Sequence, residues 1–564
     1  MQNDHQFDAI GVGAGLSGGW VAKELCDKGI KTLLLDRGKP VEHLKDYPTA
    51  NKEPWEFPHR GSIPHLVQKE NPVVSRCYAF REDAQHFFVK DQEHPYVQAK
   101  PFDWIRGYQV GGKSLLWARY TQRWSAYDFE GPARDGFAVD WPIRYADLAP
   151  WYTLVEHFAG IAGNKDGLDI LPDGDFLPPW PLNCVETHFQ EVVKKHYTGR
   201  YVIASRCAHL TQVRDIHIQQ GRSLCQARNL CQRGCPFGGY FSSVSSVIPW
   251  AQKTGHLTLK PNSTVHSVIF DDKTNKATGV RVVDTLTKET TEYFARVIFL
   301  SAATLNSNLI LLNSTSSRFP QGLGNDSGIL GTHIAFHNYR ARISARFDGF
   351  EDKKTTGGRA NSAYLPRFRN VKKQDMPFLR GYASTFSAGR STNSNKNGVG
   401  DELLKQLMEP VQYGDWYVGS QMMGETIPKA TNKVTLDNTQ KDVWGIPLLK
   451  IDVDYDDNDE KMIQDFREQF TEMYEKAGFS DIQVTDSAQA PGLDIHEMGG
   501  VRMGRDPQTS MLNSWNQLHT CPNVYVTDGA CMTSVSTQNP SLTFMALSAR
   551  AANHAVEQLK KQVL

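Results

Sequence analysis

The chain has 564 residues, 40% hydrophobic and 22% charged, a composition that suits one large globular core or two joined ones. Lysine plus arginine (62) balances aspartate plus glutamate (62), so no excess positive field draws the chain to nucleic acid or an anionic lipid surface. No run approaches the roughly 18 consecutive apolar residues that span a bilayer, and a strand pattern starts almost at Met1, so the expectation is neither direct membrane insertion nor a signal peptide of its own.

In chain order, Phe7 to Val12 reads as a short buried strand, Gly13-Ala14-Gly15-Leu16-Ser17-Gly18 as a tight turn, Trp20 to Asp27 as a helix and Ile30 to Leu35 as a second strand ending at Asp36. This strand–turn–helix–strand order is the setting in which GxGxxG holds a dinucleotide pyrophosphate. Glycine lets the backbone approach the phosphates, and the helix start offers unpaired N–H groups and a positive dipole end. Asp36, 18 residues beyond Gly18 and followed by Arg37, is placed to bind ribose hydroxyls. The turn alone does not separate FAD from NAD.

Lys39 to Gln98 is rich in proline, histidine and aromatics without a period and reads as long connections. Ile143 to Phe158 has helical spacing, and Leu171 to Cys184 is a proline-rich crossing. Leu257 to Lys260, Val265 to Phe270, Gly279 to Thr285 and Arg296 to Leu300 read as strands that form a meander returning to the parallel sheet. Between Ile343 and Ile482, strand-like runs such as Val434 to Leu436 and Leu448 to Val453 accompany the amphipathic stretch Asn458 to Ala477, which suits a sheet-based second domain backed by a helix.

Several motifs, taken together over nearly the whole chain, resemble the glucose–methanol–choline (GMC) oxidoreductases. Gly13, Gly15, Leu16, Ser17 and Gly18 with Asp36 and Arg37 match that family's FAD turn. Val110-Gly111-Gly112-Lys113-Ser114-Leu115-Leu116-Trp117 resembles its second glycine motif, which would bring Gly111, Gly112 and Ser114 to the pyrophosphate and flavin edge. Leu116 stands where related pyranose 2-oxidases carry a histidine bonded to flavin, so the resemblance implies non-covalent FAD. Val265 resembles the position whose backbone meets adenine, and Ala302 lies in the stretch after the meander. Asp528 and Gly529 resemble the flavin-side turn, and Asn539, Pro540 and Thr543 the start of a helix aimed at the flavin.

His496 matches the family's catalytic histidine and Asn539 the second member of its pair. Taking a hydride from an alcohol requires the hydroxyl proton to leave too, so a base of near-neutral pKa is needed; His496 would serve, with the Asn539 amide holding the substrate oxygen. The implied architecture is α/β: a Rossmann-like FAD-binding domain in three pieces, 1–160, 236–335 and 486–564, with a connecting and partner-facing segment, 161–235, and a substrate domain, 336–485, of sheet plus helices.

Cys225, Cys231 and Cys235-Pro236 crowd three thiols into eleven residues, while the other six cysteines are scattered. Thiolates followed by proline are typical of iron–sulfur ligation, and three of them suit a [3Fe-4S] cluster; a zinc site completed by a histidine and a set of buried thiols are the alternatives. The spacing resembles that of membrane-linked bacterial sugar dehydrogenases of the family. This implies a small subunit, a cytochrome c acceptor and periplasmic location by co-export with a signal-bearing partner; without such a partner the chain is cytoplasmic.

The expected function is FAD-dependent oxidation of a secondary hydroxyl on a sugar or glycoside, with C3 of glucosides first and a gluconate 2-dehydrogenase-like activity next. The rivals are an O2-using oxidase, a non-catalytic flavin subunit and an NAD-dependent dehydrogenase. His209, His217, His333 and His337 are secondary cavity candidates. The aromatics Trp55, Phe57, Phe102, Trp104 and Trp117 are expected mostly to fill the core. Arg123 and Lys113 are expected as solvated or pyrophosphate-side charges.

Overall fold

The structure, a computed structural model, describes residues 5–354, 361–392, 400–408 and 413–564. Its first sheet has a parallel core in the order Cys521–Val526, Thr290–Leu300, Gln6–Val12, Thr32–Leu35, Leu257–Lys260, with Gln517–Leu518 antiparallel at one edge. Strands buried on both faces read as unbroken apolar runs, and Val297-Ile298-Phe299-Leu300 is one. Thr290–Leu300 has two roles. Its first half closes the antiparallel meander with Lys276–Asp284 and Ser263–Asp271, and its second half pairs in parallel with Gln6–Val12. The helices Leu16–Cys26 and Ser541–Lys560 share a core of Val21, Leu25, Ala551, Ala552, Ala555 and Val556, so the last helix of the chain packs on the first.

The second sheet is antiparallel, in the order Ser480–Asp486, Ala341–Phe347, Tyr413–Glu425, Tyr382–Thr392, Ala363–Leu365, Ile203–Ala204, with His337–Asn338 also on Tyr413–Glu425. The helix Asp457–Lys476 covers one face with Met462, Phe466, Phe470 and Tyr474, spaced four apart to make one stripe; Asp456 caps its start by accepting from Asn458 N–H. A second helix, Cys184–His196, joins this core through Val185, Phe189 and Val193, with Asn183 and Glu186 forming its capping box.

Val434 to Leu436 and Leu448 to Val453 are strands but do not join the second sheet. They pair in a separate three-stranded sheet with Val97–Gln98, and their apolar faces pack on Leu305, Ile334 and Phe336. Alternation marks a strand without choosing its partner, and here the partner is Val97–Gln98, hundreds of residues upstream.

A buried ionic seam fixes one sheet unit against the other. Arg380, fully buried, donates to Glu425 at 2.9 Å and Asp135 at 3.0 Å, and Arg367 faces Asp128 at 3.4 Å and Glu425 at 3.5 Å. Asp128 and Asp135 lie on the helix Ala126–Asp135, where a Cβ on Gly131 would stand 2.3 Å from the Arg380 guanidinium. Removing one partner of a buried ion pair leaves uncompensated charge. Arg380→Met is therefore expected to lose about 3–5 kcal/mol, read as a lowered urea midpoint; an unchanged midpoint contradicts the seam's role.

Candidate active site

The strands of the first sheet end together at Gly13, Ser301 and Thr527, the edge where open α/β sheets bind ligands. Gly13 has φ +96° and a Cβ there would lie 2.4 Å from the Ser301 carbonyl; one on Gly18 would lie 1.8 Å from the Gly13 carbonyl. Those two glycines let strand and helix touch. Gly15 differs: a Cβ on it meets no atom of the described residues within 4 Å. Gly112, in the second glycine motif, approaches Gly15 from across that space, its Cβ position 3.7 Å from the Gly15 Cα. No side chain among the described residues caps the Leu16–Cys26 helix, which leaves its first N–H groups to a ligand. An FAD pyrophosphate fits this cradle.

Asp36 accepts from Ala14 N–H and Gly38 N–H, each at 2.8 Å, and burial pushes its carboxyl up to about 6. It thus braces the turn from both of its oxygens. Arg37 turns to the Tyr108 and Trp444 rings, 4.1 and 5.2 Å away. The Ser114 hydroxyl closes its own turn onto Gly111 and accepts from Ser243 N–H. Val265 buries its side chain, and the ladder slips between it and Ser267. Ala302 N–H donates to Ser307 Oγ at 3.2 Å, and Ser307 in turn donates to Asp528 at 2.5 Å. Gly529 is pressed against Thr304 and the Glu497 carbonyl. Leu116 packs in the core and carries no group able to bond a flavin covalently.

His496 and Asn539, 43 residues apart, meet: Asn539 Nδ2 lies 3.3 Å from His496 Nε2. Asn539 Oδ1 is buried with no partner among the described residues. Pro540 begins the helix Ser541–Lys560, also without a side-chain cap among the described residues, and Thr543 binds the Tyr152 hydroxyl at 2.8 Å. Behind His496 stands His337, their Nδ1 atoms 2.9 Å apart, and His337 Nε2 is 3.0 Å from the Ser536 carbonyl. Asp494 accepts from the backbone N–H groups of both His337 and His496. Ile495 (φ +66°) and Ser536 (φ +63°) hold left-handed backbone that non-glycine residues rarely adopt, so the two imidazoles sit on strained supports. Burial, then His337 and Lys113, hold His496 well below the usual histidine range; burial pushes His337 down to about 3 and Asp494 up to about 7.

His337, Asp494 and His496 also have the composition of a metal site, the only trio among the described residues whose ligand atoms converge within 4.8 Å. His337 and His496 bond each other and Asp494 accepts from backbone N–H groups, which leaves His496 Nε2, beside the Asn539 amide, as the nitrogen free for chemistry. Of the secondary histidines, His337 alone touches this pair. His333, four residues away and itself left-handed (φ +59°), is bonded to Thr332, and His217 packs beside Gly160. Asp494, which accepts from backbone N–H groups, and Ser536, which acts through its own backbone carbonyl, carry no signal of these roles in the sequence. Two further expectations are corrected: Trp55 is exposed rather than core, and Arg123 is not solvated but forms a buried bidentate pair with Glu156. Lys113, partly exposed, pairs with Glu497 at 3.2 Å. Phe57, Phe102 and Trp104 are buried and Trp117 is half-buried.

Cys225, Cys231 and Cys235 line one small cavity with Gly234 and Pro236, and no disulfide joins any of the nine cysteines among the described residues. Burial, with the neighbouring Cys231 and Cys235, pushes the Cys225 thiol up to about 11. Two buried cations act on the group, Arg119 on Cys231 and Arg222 on Cys235, and His209 Nε2 lies 3.8 Å from Cys231 Sγ. The three sulfurs do not converge within 4.8 Å, whereas a single zinc ion with bonds of about 2.3 Å draws its thiolates closer than that.

Residues 92–337 match the N-terminal and 428–548 the C-terminal family model described as GMC oxidoreductase. The chain is similar to the fructose dehydrogenase large subunit of Gluconobacter japonicus, 26% identical over 98% of each chain. It is also similar to the 2-methyl-1,2-propanediol dehydrogenase of Mycolicibacterium austroafricanum, 26% identical over 97% of this chain and 95% of that protein. Among solved structures, pyridoxine 4-oxidase from Mesorbium loti shares the fold with a TM-score of 0.60, at 15% identity over 98% of this chain and 99% of the other.

Because Gly15 has φ −75° and open space, Gly15→Ala is expected to fold with unchanged or slightly raised apo-protein stability while its FAD affinity falls at least about tenfold. Flavin fluorescence titration of apo-protein beside thermal unfolding reads both; full FAD affinity in the variant contradicts the cradle.

Proposed function

The chain belongs to the GMC oxidoreductase family, and we propose that it is a dehydrogenase oxidising a secondary hydroxyl of a sugar or glycoside, with C3 of a glucoside as the first candidate. The observation that carries this reading is the His496–Asn539 pair set at the uncapped start of Ser541–Lys560, beside the glycine cradle. Bound FAD supplies the two-electron acceptor for the substrate's hydride.

The protein's own part is positioning and proton transfer. His496 Nε2 takes the hydroxyl proton, and Asn539 Nδ2 donates to the same oxygen and orients it. The unpartnered Asn539 Oδ1 adds an acceptor for a neighbouring hydroxyl, which suits vicinal diols and therefore sugars. The positive end of the helix Ser541–Lys560 would stabilise an anionic group held against it.

Cys225, Cys231 and Cys235 would hold a [3Fe-4S] cluster, which supplies one-electron transfer. Support comes from the three sulfurs around one cavity at more than single-ion spacing, and from Arg119 and Arg222, whose charges offset an anionic group. Leu224 and Phe237, 45% and 37% exposed on the same loop, are apolar surface suited to a docking partner. A small subunit and a cytochrome c acceptor in the periplasm complete the proposal; the similarity to a protein named as a large subunit supports the partner subunit.

An oxidase is the second reading, and the cysteines would then be structural. Purified protein given sugar in air distinguishes them: bound iron with little peroxide is expected, and iron-free protein making abundant peroxide contradicts the relay. His496→Ala is expected to slow anaerobic flavin reduction by about 10²–10⁴-fold, measured by rapid mixing; an unchanged rate removes His496 as the base.

A further inference from the structure

We propose that His337 is a positioning residue that fixes the tautomer of His496, keeping the proton of His496 on Nδ1 and its Nε2 lone pair toward Asn539 and the substrate hydroxyl. This rests on the reading of His496 as the base. The direction of each hydrogen bond follows from one end of the chain. A backbone carbonyl only accepts, so His337 Nε2, 3.0 Å from the Ser536 carbonyl, carries a hydrogen. In a neutral imidazole the other nitrogen is then bare, and His337 Nδ1 must accept from its neighbour, His496 Nδ1, at 2.9 Å. His496 Nε2 is left bare in turn, which is the form that accepts from the Asn539 amide and that can take a proton. Burial holds both rings neutral.

In many catalytic histidines a carboxylate sets the tautomer by accepting from the far nitrogen. Asp494 is near enough, yet its oxygens are turned to the backbone N–H groups of Gly492, His337 and His496. The other charged and titratable groups around the pair are Lys113 and Glu497, bonded to each other, and Tyr339, whose ring stands edge-on to His496 at 5.8 Å. His337 thus occupies the orienting position. The left-handed Ser536 aims its carbonyl at His337, and the left-handed Ile495 presents His496.

Three substitutions in the FAD-loaded enzyme test this. His337→Asn places an oxygen where Nδ1 stood and keeps the acceptor. His337→Gln reaches Ser536 but offers His496 nothing, and His337→Leu removes both contacts. The limiting rate of anaerobic flavin reduction is measured from pH 5 to 9 with apparent substrate affinity and flavin content. The Gln and Leu variants are expected to fall by about 10²–10⁴-fold at every pH with affinity little changed, and the Asn variant to recover to within about tenfold of the parent.

Restoration of the Gln and Leu rates at high pH would mean that His337 only shifts a pKa, and would overturn the proposal. So would equal losses in all three variants. If the Gln and Leu variants lose flavin, the Asn variant decides by its own rate: near-parental supports the proposal, and a loss of 10²-fold or more overturns it. His496→Gln, run in parallel, separates the two levels. A parental rate there removes His496 as base, whereas a lost rate there with parental rates in the Gln and Leu variants of His337 removes this inference alone.

Discussion

The contact on which the site depends is the closure of strand on helix at Gly13 and Gly18. With the Gly18 Cβ position 1.8 Å from the Gly13 carbonyl, any side chain there forces the helix Leu16–Cys26 off the sheet. Gly13 is pressed in turn against the Ser301 carbonyl, its Cβ position 2.4 Å away, and Ser301 Oγ meets Thr527 Oγ1 at 2.9 Å. Three strand ends from distant parts of the chain are thereby drawn to one point, and the open side of the turn is left at Gly15. The cradle is the space that remains when everything around it has packed.

From that edge the chain runs directly to the chemistry. Asp528 and Gly529 follow the strand Cys521–Val526, and a few residues later come Ser536, Asn539 and the helix Ser541–Lys560, whose far end packs on Leu16–Cys26. The same short stretch therefore supplies the His337 acceptor, the substrate-facing amide and the helix start. His337 arrives from the second sheet, next to the strand Tyr413–Glu425, so the imidazole pair joins the two halves of the molecule. The buried seam around Arg380 makes that junction rigid, which a hydrogen-bonded chain of three side chains requires.

Local features were legible in the sequence to the extent that their physics is local. Gly13, Gly15, Gly18 and Asp36 declare a dinucleotide turn because strand, turn and helix are contiguous. His496 and Asn539 stood out by resemblance alone, since nothing near either one marks it as half of a pair. His337 stood out only as one of four cavity candidates, because its role depends on a partner 159 residues away. The helix Ala126–Asp135 was obscured by Gly131-Pro132, which usually break helices, although Ser125 and Asp128 form a capping box at its start. The helix Cys184–His196, with Asn183 and Glu186 as its capping box, likewise went unread behind the proline-rich crossing that precedes it. No local pattern could tell that Val434 and Leu448 belong to strands that pair beside Val97 and apart from the large sheet.

The central claim is that an FAD held at this sheet edge receives hydride from a carbohydrate carbinol. Its most direct test is an anaerobic titration of the purified protein with a panel of glucosides and free sugars, followed by absorption and EPR spectra. The account predicts flavin absorption in the resting protein, bleached by at least one sugar, with an iron–sulfur signal that changes as the flavin is reduced. Protein that carries no flavin, or flavin that no sugar in the panel bleaches, would contradict it.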